Sequence, residues 1–523
     1  MATAENGNAA DYFLDRHVRA GCGERLAFDD GARRLTYAGL RAESARVAAA
    51  LAAHGIGRER RVCLILWDTV DFPALFWGCL FAGVLPVPVN TLLTAETLAY
   101  ILRDSRAEAA FVAAPLLAGL AEALRGQPAL RHVVAVGDGA PEGAIGLDAF
   151  LAAGGAPAPM VEASPDETAF WLYSSGSTGR PKGVRHVHAS LRATAETYAA
   201  QVLGIAADDT VFSAAKLFHA YGLGNGMTFP MSVGAATVLL PGRPTPEAVL
   251  ETMRRFRPSI FCGVPTLYAG LLARPDLGPG AGSDRLRRCI SAGEALPAHI
   301  GTRWAERVGV DILDGIGSTE MLHIFISNRP GDVRYGTSGK PVPGYAARIV
   351  DEHDNDVADG AQGELLVRGP SAADGYWNQR DKSRRTFQGE WTRTGDVYTR
   401  DAEGYYRYGG RNDDMMKVSG VWVSPFEVEE ALAAHPAVLE AAVVGRQDTD
   451  GLLKPRAFIV LRPDAAATAP ERLHAELKAL VQSRIEPWKY PRWVEIVPAL
   501  PKTATGKIER YRLRDAPPVA PRG

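Results

Sequence analysis

Cysteine is sparse in this 523-residue chain: Cys22, Cys63, Cys79, Cys262 and Cys289 are scattered, odd in number and form no CxxC pair. That pattern argues against a disulfide framework and a thiolate zinc site, and fits a reducing cytoplasm. Net charge is nearly absent too. The 58 basic and 60 acidic residues leave a formal charge of -2, with no surplus to drive phosphate-backbone binding or adhesion to an anionic membrane. Neither nucleic acid nor a membrane is an expected partner. The N-terminus lacks a basic segment followed by an apolar run, which argues against a secretory signal. One uncharged stretch, residues 72–89, has about the length of a bilayer-crossing helix, but it carries Pro73, Pro86 and Pro88. Those prolines would break the helix before it crossed, so the stretch reads as a buried helix running into a short strand. No internal repeat is visible, and no low-complexity segment beyond general alanine richness.

The length implies more than one folding unit. From Thr36 strand and helix alternate: an Ala-rich helix to His54 stopped at Gly55, a strand at Val62–Leu66, the apolar helix, a strand near Val87 and a helix from Thr94. A strand near Ala110, another helix and the strand Val133–Val136 follow. Such alternation predicts an α/β fold with parallel, doubly wound sheets covered on both faces. After Tyr408 the run Gly409-Gly410-Arg411 leads into a smaller α+β unit. There Ser424, Pro425 and Glu427 make a capping box that opens a helix to about His435. Strands near Val438–Val444 and Ala457–Leu461, a helix Pro470–Ile485 and a strand Trp493–Val497 complete it. The expected division is a large N-terminal domain, 1–412, of mixed α/β subdomains, and a small C-terminal domain, 413–523.

The most specific segment is Tyr173-Ser-Ser-Gly-Ser-Thr-Gly-Arg-Pro-Lys-Gly183. Small hydroxyl residues and glycines let backbone N–H and side-chain OH groups close around a triphosphate, with Lys182 as counter-charge. Pro181 stands where a Walker A motif needs glycine, and a flexible linker would not carry Pro-Lys-Gly and then return to structure. This loop resembles the signature of the adenylate-forming superfamily of acyl-CoA synthetases, luciferases and adenylation domains. Gly315-Ile-Gly-Ser-Thr-Glu320, Thr394-Gly-Asp396, Gly410-Arg-Asn-Asp-Asp414 and Pro501-Lys-Thr-Ala-Thr-Gly-Lys507 resemble its later motifs in the same order, over nearly the whole chain. Trp171-Leu-Tyr-Ser-Ser-Gly, Ala220-Tyr-Gly-Leu-Gly-Asn225, Glu320-Met-Leu-His-Ile324 and Met416-Lys-Val-Ser-Gly420 resemble the benzoate and hydroxybenzoate:CoA ligases more than the fatty-acid or acetate enzymes.

The resemblance implies an enzyme that uses ATP, Mg²⁺ and coenzyme A to convert an aryl carboxylic acid to acyl-AMP and then to a thioester, with a mobile C-terminal domain. It assigns ATP contacts to Ser174, Ser175, Gly176, Ser177, Thr178, Gly179 and Lys182. Further contacts fall to Gly293, Glu294, Ala295, Asp314, Gly315, Ile316, Gly317, Ser318 and Thr319. Joining a carboxylate to the α-phosphate brings two anions together, so the transition state needs a cation and a metal. Lys507 resembles the adenylation lysine and Glu320 the residue that places Mg²⁺. Asp396 resembles the ribose ligand, with Arg411 beside it. Asp413 resembles the hinge of domain rotation, and Lys417 is the candidate to meet the adenylate after it. Ser419 and Gly420 would flank the pantetheine tunnel, with Lys489 and Arg492 as candidates for CoA phosphates.

The acyl pocket is read from His219, Ala220, Tyr221, Gly222 and His323, an aromatic wall with small residues and no long groove for an alkyl tail. Each histidine could equally be a packed loop residue. Many relatives carry an aromatic residue where this chain has Ile316, so that adenine rests on an aliphatic face or the acyl ring gains width. His219 replaces an expected phenylalanine, which points away from unsubstituted benzoate. Three other readings stand beside it: an adenylation enzyme that loads a carrier protein's phosphopantetheine, a catalytically dead nucleotide-binding protein, against which Lys507, Glu320 and Asp396 together weigh, and a luciferase-like oxygenase, which shares the first step but for which no residue specifically indicates oxygen chemistry. A homodimer is left open.

Overall fold

The computed structural model describes residues 6–174, 180–418, 421–449, 452–462, 470–502 and 508–514. Two compact units emerge, Met1–Ala347 with Leu366–Thr394, and Arg348–Leu365 with Gly395–Gly523.

In the first unit the expected alternation forms. Thr36 Oγ1 accepts from the Gly39 N–H and caps the helix Tyr37–Ala53. The uncharged stretch becomes the helix Asp71–Phe81, buried nearly throughout, followed by the strand Leu85–Pro88. Pro73 sits in the first turn, where no intrahelical N–H is lost. Strands Arg61–Ile65, Leu85–Pro88, Ala109–Ala113, His132–Val136 and Ile145–Gly146 pair in parallel as one five-stranded sheet. A nine-stranded sheet is parallel through its centre, from Leu26–Asp29 to Ile312–Gly317, and closes with antiparallel strands at both ends. The parallel expectation therefore holds for the whole five-stranded sheet and for the centre of the nine-stranded one, but not for the ends of the latter. A third, three-stranded sheet joins Thr168–Ser174, Lys182–Val187 and Gly375–Tyr376.

His188, the first residue of the helix His188–Thr194, ties the chain's beginning to this unit. Its Nδ1 accepts the Ala9 N–H at 3.1 Å. An accepting nitrogen carries no proton, and burial pushes the imidazole down to about 4 from its usual 6.5. The unfolded chain takes up this proton below about 6.5 and the folded one only near 4, so acid favours unfolding across that window. His188→Asn keeps an acceptor without the titration. Comparing the two proteins by denaturant unfolding from pH 7 to 4.5, wild type should lose up to about 3 kcal/mol relative to the variant.

The second unit contains an antiparallel pairing of Trp391–Arg400 with Tyr406–Arg411 that sets Asp396 opposite Arg411. These hydrogen bonds group residues 395–412 with the second unit, whereas the motifs assign them to the first; a boundary of contacts and a hinge need not coincide. Beyond them lie the hairpin Met416–Val418 with Val421–Val423 and a sheet of Val438–Gln447, Leu453–Leu461 and Trp493–Ile496. Helices Pro425–Ala433 and Pro470–Arg484 accompany it. Only half of the expected capping box forms. Ser424 Oγ accepts the Glu427 N–H at 3.1 Å, but the Glu427 carboxylate turns to Lys489 instead.

Candidate functional site

In the first unit, strands Thr168–Ser174 and Lys182–Val187 pair antiparallel with Ser174 opposite Lys182. The signature residues between them, Ser175, Gly176, Ser177, Thr178 and Gly179, lie outside the described residues. The flanking residues converge on one carboxylate. Glu320 Oε1 accepts from the Tyr376 hydroxyl at 2.8 Å and from Ser174 Oγ at 3.4 Å, and Lys182 Nζ stands 3.6 Å away. Lys182 also lies over the Tyr376 ring, 4.5 Å from its centroid, and is itself buried. Asp104 braces the same region. Its carboxylate accepts from the Tyr173 hydroxyl at 2.6 Å, and its carbonyl accepts from Trp377 Nε1 at 2.9 Å.

Tyr376 and Asp104 escaped the sequence reading. The only trace of the first is the run Gly375-Tyr376-Trp377, in which Gly375 has φ +139° and Tyr376 pairs with Val184. A tyrosine in a short strand carries no signal of its own.

Thr319 and Glu320 follow the strand Ile312–Gly317. Glycine is needed at Gly315 and Gly317 because a Cβ would come 2.7 Å from the Ile326 carbonyl oxygen and 2.6 Å from that of His323. Ile316 between them is half-buried, and Ser318 Oγ accepts from the Met321 N–H at 3.1 Å. At the other expected adenine wall, Gly293 has φ +94°, while Glu294 and Ala295 are half-buried. Burial pushes the Asp314 carboxyl up to about 8, so it is mostly neutral at pH 7.

The acyl-pocket candidates separate into different tasks. His323 is buried against Phe229, Tyr198 and Tyr221 at centroid distances of 4.4, 5.3 and 5.7 Å. Its Nε2 lies 3.3 Å from the Tyr221 carbonyl, which can only accept, so Nε2 carries the proton. Burial holds the ring neutral, at about 3. The Tyr221 hydroxyl is spent on the Gly263 carbonyl at 3.0 Å, with the Ile290 carbonyl at 3.1 Å. Gly222 serves packing: a Cβ there would lie 2.1 Å from the Lys216 carbonyl. Gly224, which sequence reading passed over, is required by the His323 ring, 2.4 Å from where its Cβ would be. Ala220 and His219 are half-buried, with the His219 imidazole edge-on to Phe218 at 4.7 Å.

As a metal donor, Glu320 offers one carboxylate beside the Ser174 hydroxyl. Among the described residues no group of three His, Cys, Asp or Glu side chains gathers. Such a set fits Mg²⁺, which takes one or two carboxylates and completes its shell with substrate phosphates and water, better than a metal that needs a full protein cage.

In the second unit Asp396 is buried, and Arg411 Nη1 donates to its Oδ1 at 2.9 Å. Asp413 lies exposed in the turn Asn412–Asp414. Asp414 beside it pairs with Arg514 at 3.0 Å, and Arg510 grips Glu429 at 2.7 Å. Lys417 is in the strand Met416–Val418. Ser419, Gly420 and Lys507 lie outside the described residues. The Lys489 ammonium is buried between Glu427 at 2.7 Å and Glu486 at 2.6 Å, so its charge is matched inside the unit. Arg492 stacks on Tyr490, 3.6 Å from the ring centroid.

Comparison with known proteins gives this arrangement a family. Residues 14–377 match the model of the AMP-binding enzyme, and residues 427–507 that of the AMP-binding enzyme C-terminal domain. The chain is 54% identical to a benzoate–CoA ligase of Thauera aromatica, covering 98% of this chain and 96% of that protein. It is 53% identical to a 4-hydroxybenzoate–CoA/benzoate–CoA ligase of Rhodopseudomonas palustris, over 97% and 94%. The crystal structure of an anthranilate CoA ligase in complex with anthranoyl-AMP superposes with a TM-score of 0.91 at 41% identity, covering 98% of this chain and 97% of that one. With a family model matched over residues 14–377 and relatives 53% and 54% identical over nearly the whole chain, the chain belongs to the AMP-binding enzyme family.

Proposed function

We propose that the protein is an ATP-dependent aryl acid:CoA ligase. A benzoate-type carboxylate attacks the α-phosphorus of ATP, giving acyl-AMP and releasing pyrophosphate; the CoA thiolate then attacks the acyl carbon and AMP leaves. The observation that carries this reading is the convergence of Glu320, Lys182, Tyr376 and Ser174 beside the signature loop. A carboxylate, an ammonium and two hydroxyls gathered together support the reading, because phosphate chemistry needs such groups. In the first half-reaction Lys182 and Lys507 neutralise phosphate charge, Thr319 donates to phosphate, and Asp396 with Arg411 holds the ribose. Glu320 would hold Mg²⁺, which when bound supplies charge neutralisation at the phosphates. Tyr221 presents its ring face to the acid, with His323 behind it. Rotation about Asp413 then exchanges Lys507 for Lys417, and Ser419 and Gly420 line the pantetheine path. A cytoplasmic place in aromatic acid metabolism fits this chemistry.

Free CoA, ATP and a panel of benzoates, with mass detection of the products, test the reading. Aryl-CoA and AMP are expected. Adenylate without thioester would instead favour loading of a carrier protein.

His219 bears on which benzoate is preferred. Its imidazole would hydrogen-bond a polar ring substituent such as hydroxyl or amino, a reading supported by its half-buried setting edge-on to Phe218. A neutral hydrogen bond contributes about 0.5–1.5 kcal/mol, at most roughly tenfold in specificity. His219→Phe should shift kcat/KM toward unsubstituted benzoate by up to that factor, with ATP kinetics unchanged. An unaltered ranking of hydroxy- and aminobenzoates would remove His219 from the pocket.

A further inference from the structure

One buried histidine lies outside every role assigned above. His186 is fully buried in the strand Lys182–Val187, its ring stacked on Phe170 at 5.3 Å and 21°. Its Nε2 lies 2.8 Å from the Thr319 carbonyl oxygen. A carbonyl can only accept, so Nε2 carries the proton and the ring is the neutral Nε2–H tautomer. The other nitrogen, Nδ1, is buried without a hydrogen-bond partner. Such a ring is costly to bury for packing alone, because an apolar side chain would fill the space without leaving a polar atom unpaired.

The strand's geometry says what the bond accomplishes. Successive side chains in a strand alternate between faces, so Lys182 and His186, four residues apart, lie on the same side. They grip consecutive residues of one motif: Lys182 meets the Glu320 carboxylate at 3.6 Å, and His186 meets the carbonyl of Thr319. That motif is an irregular turn in which Leu322 adopts φ +65°, a conformation that a side-chain-bearing residue keeps only when its surroundings hold it. The next two carbonyls are held as well. Glu320 O accepts from the Ala373 N–H at 2.8 Å, and Met321 O accepts from Ser371 Oγ at 2.7 Å. Within the turn, the Leu322 N–H also reaches the Thr319 carbonyl at 3.2 Å and the His323 N–H the Met321 carbonyl at 2.8 Å; of all these donors, His186 is the one that comes from the strand carrying Lys182.

We infer that His186 is a positioning residue of the adenylation half-reaction, one that fixes the Thr319-Glu320 backbone in register with Lys182 through its Nε2–H. It touches neither ATP nor acid. Without it the Glu320 carboxylate and the Thr319 hydroxyl drift relative to Lys182, so that phosphate is bound in the wrong geometry. The ring's neutrality, with burial holding it at about 4, keeps this tautomer through the physiological range. The inference rests on the proposed ligase reading.

Three variants test it. His186→Gln places an amide N–H near the position of Nε2, His186→Asn is too short to reach Thr319, and His186→Leu has no donor. Each is compared with wild type for benzoate-dependent pyrophosphate exchange per folded molecule, for KM of ATP and of acid, and for ATP affinity without acid. Loss of a hydrogen bond that sets geometry should lower exchange kcat by about 10- to 100-fold in the Leu and Asn variants, with KM of the acid unchanged. The Gln variant should stay within about threefold of wild type. If the Leu variant does not fold, the Asn and Gln pair, which differ by one methylene, decides alone. Equal kcat in all variants despite a lower Tm would make His186 a packing residue and overturn the inference; so would a Gln variant as impaired as Asn. Should wild type exchange with no aryl acid, the ligase reading fails, and the order of ATP affinities, weak in Asn and Leu but retained in Gln, still decides His186.

Discussion

Lys507→Ala lowers acid-dependent pyrophosphate exchange by about 10²-fold or more, while thioester formation from supplied acyl adenylate survives. Two anions, the substrate carboxylate and the α-phosphate, must approach each other, and a preorganised cation at the developing charge contributes on the scale of a lost oxyanion-hole donor, about 10²- to 10³-fold. On the proposed mechanism the lysine would serve one half-reaction, because rotation about Asp413 would carry it away before the thiol attacks. Asp413→Pro is the reciprocal case. Proline fixes φ, so adenylation remains measurable while acyl transfer to CoA slows, and Lys417→Ala shares that pattern. Both half-reactions are read separately, by exchange of labelled pyrophosphate and by single-turnover thioester formation. Equal loss of the two in Lys507→Ala would mean that the lysine does not alternate with Lys417.

Glu320→Ala should be about as damaging, roughly 10²-fold in pyrophosphate exchange, for a reason legible in the local geometry. The carboxylate is the acceptor for Tyr376, the partner of Lys182 and the proposed Mg²⁺ ligand. Removing it leaves a buried ammonium and a hydroxyl without their acceptor. Glu320→Gln separates these effects. The amide oxygen still accepts from Tyr376, but the negative charge is gone. Its exchange activity should recover partly as Mg²⁺ is raised, whereas Glu320→Ala should recover less. A Mg²⁺ dependence identical to wild type in the Gln variant would remove the metal role and leave Glu320 as the partner of Lys182.

Much of the scaffold was legible because its signals are local. Alternating periods, the Thr36 and Ser424 caps and the prolines around residue 73 place helices and strands close to where they form. The motifs around Ser174, Glu320 and Asp396 could be read for the same reason, since each packs several informative residues into a short run. Legibility stopped where one side chain has two uses. Glu427 could complete a capping box or pair with Lys489, and only packing against the segment Glu486–Lys489 selects the ion pair. Gly222 looks like a pocket residue in sequence, yet the carbonyl of Lys216 demands it, and Gly224, which carries no such signal, is required by the ring of His323.

The sequence by itself determined the alternating elements, the order of the motifs and the identity of the candidate site residues. All of these depend on residues within a few positions of one another or on short runs of fixed composition. Tertiary structure decided which of those residues act together. Tyr376 reaches Glu320 across 56 positions and Lys182 across 194, Trp377 reaches Asp104 across 273, and His186 reaches Thr319 across 133. No periodicity or spacing encodes such pairs, because sheet pairing and the turn that follows the strand Ile312–Gly317 bring them together only after the chain has folded.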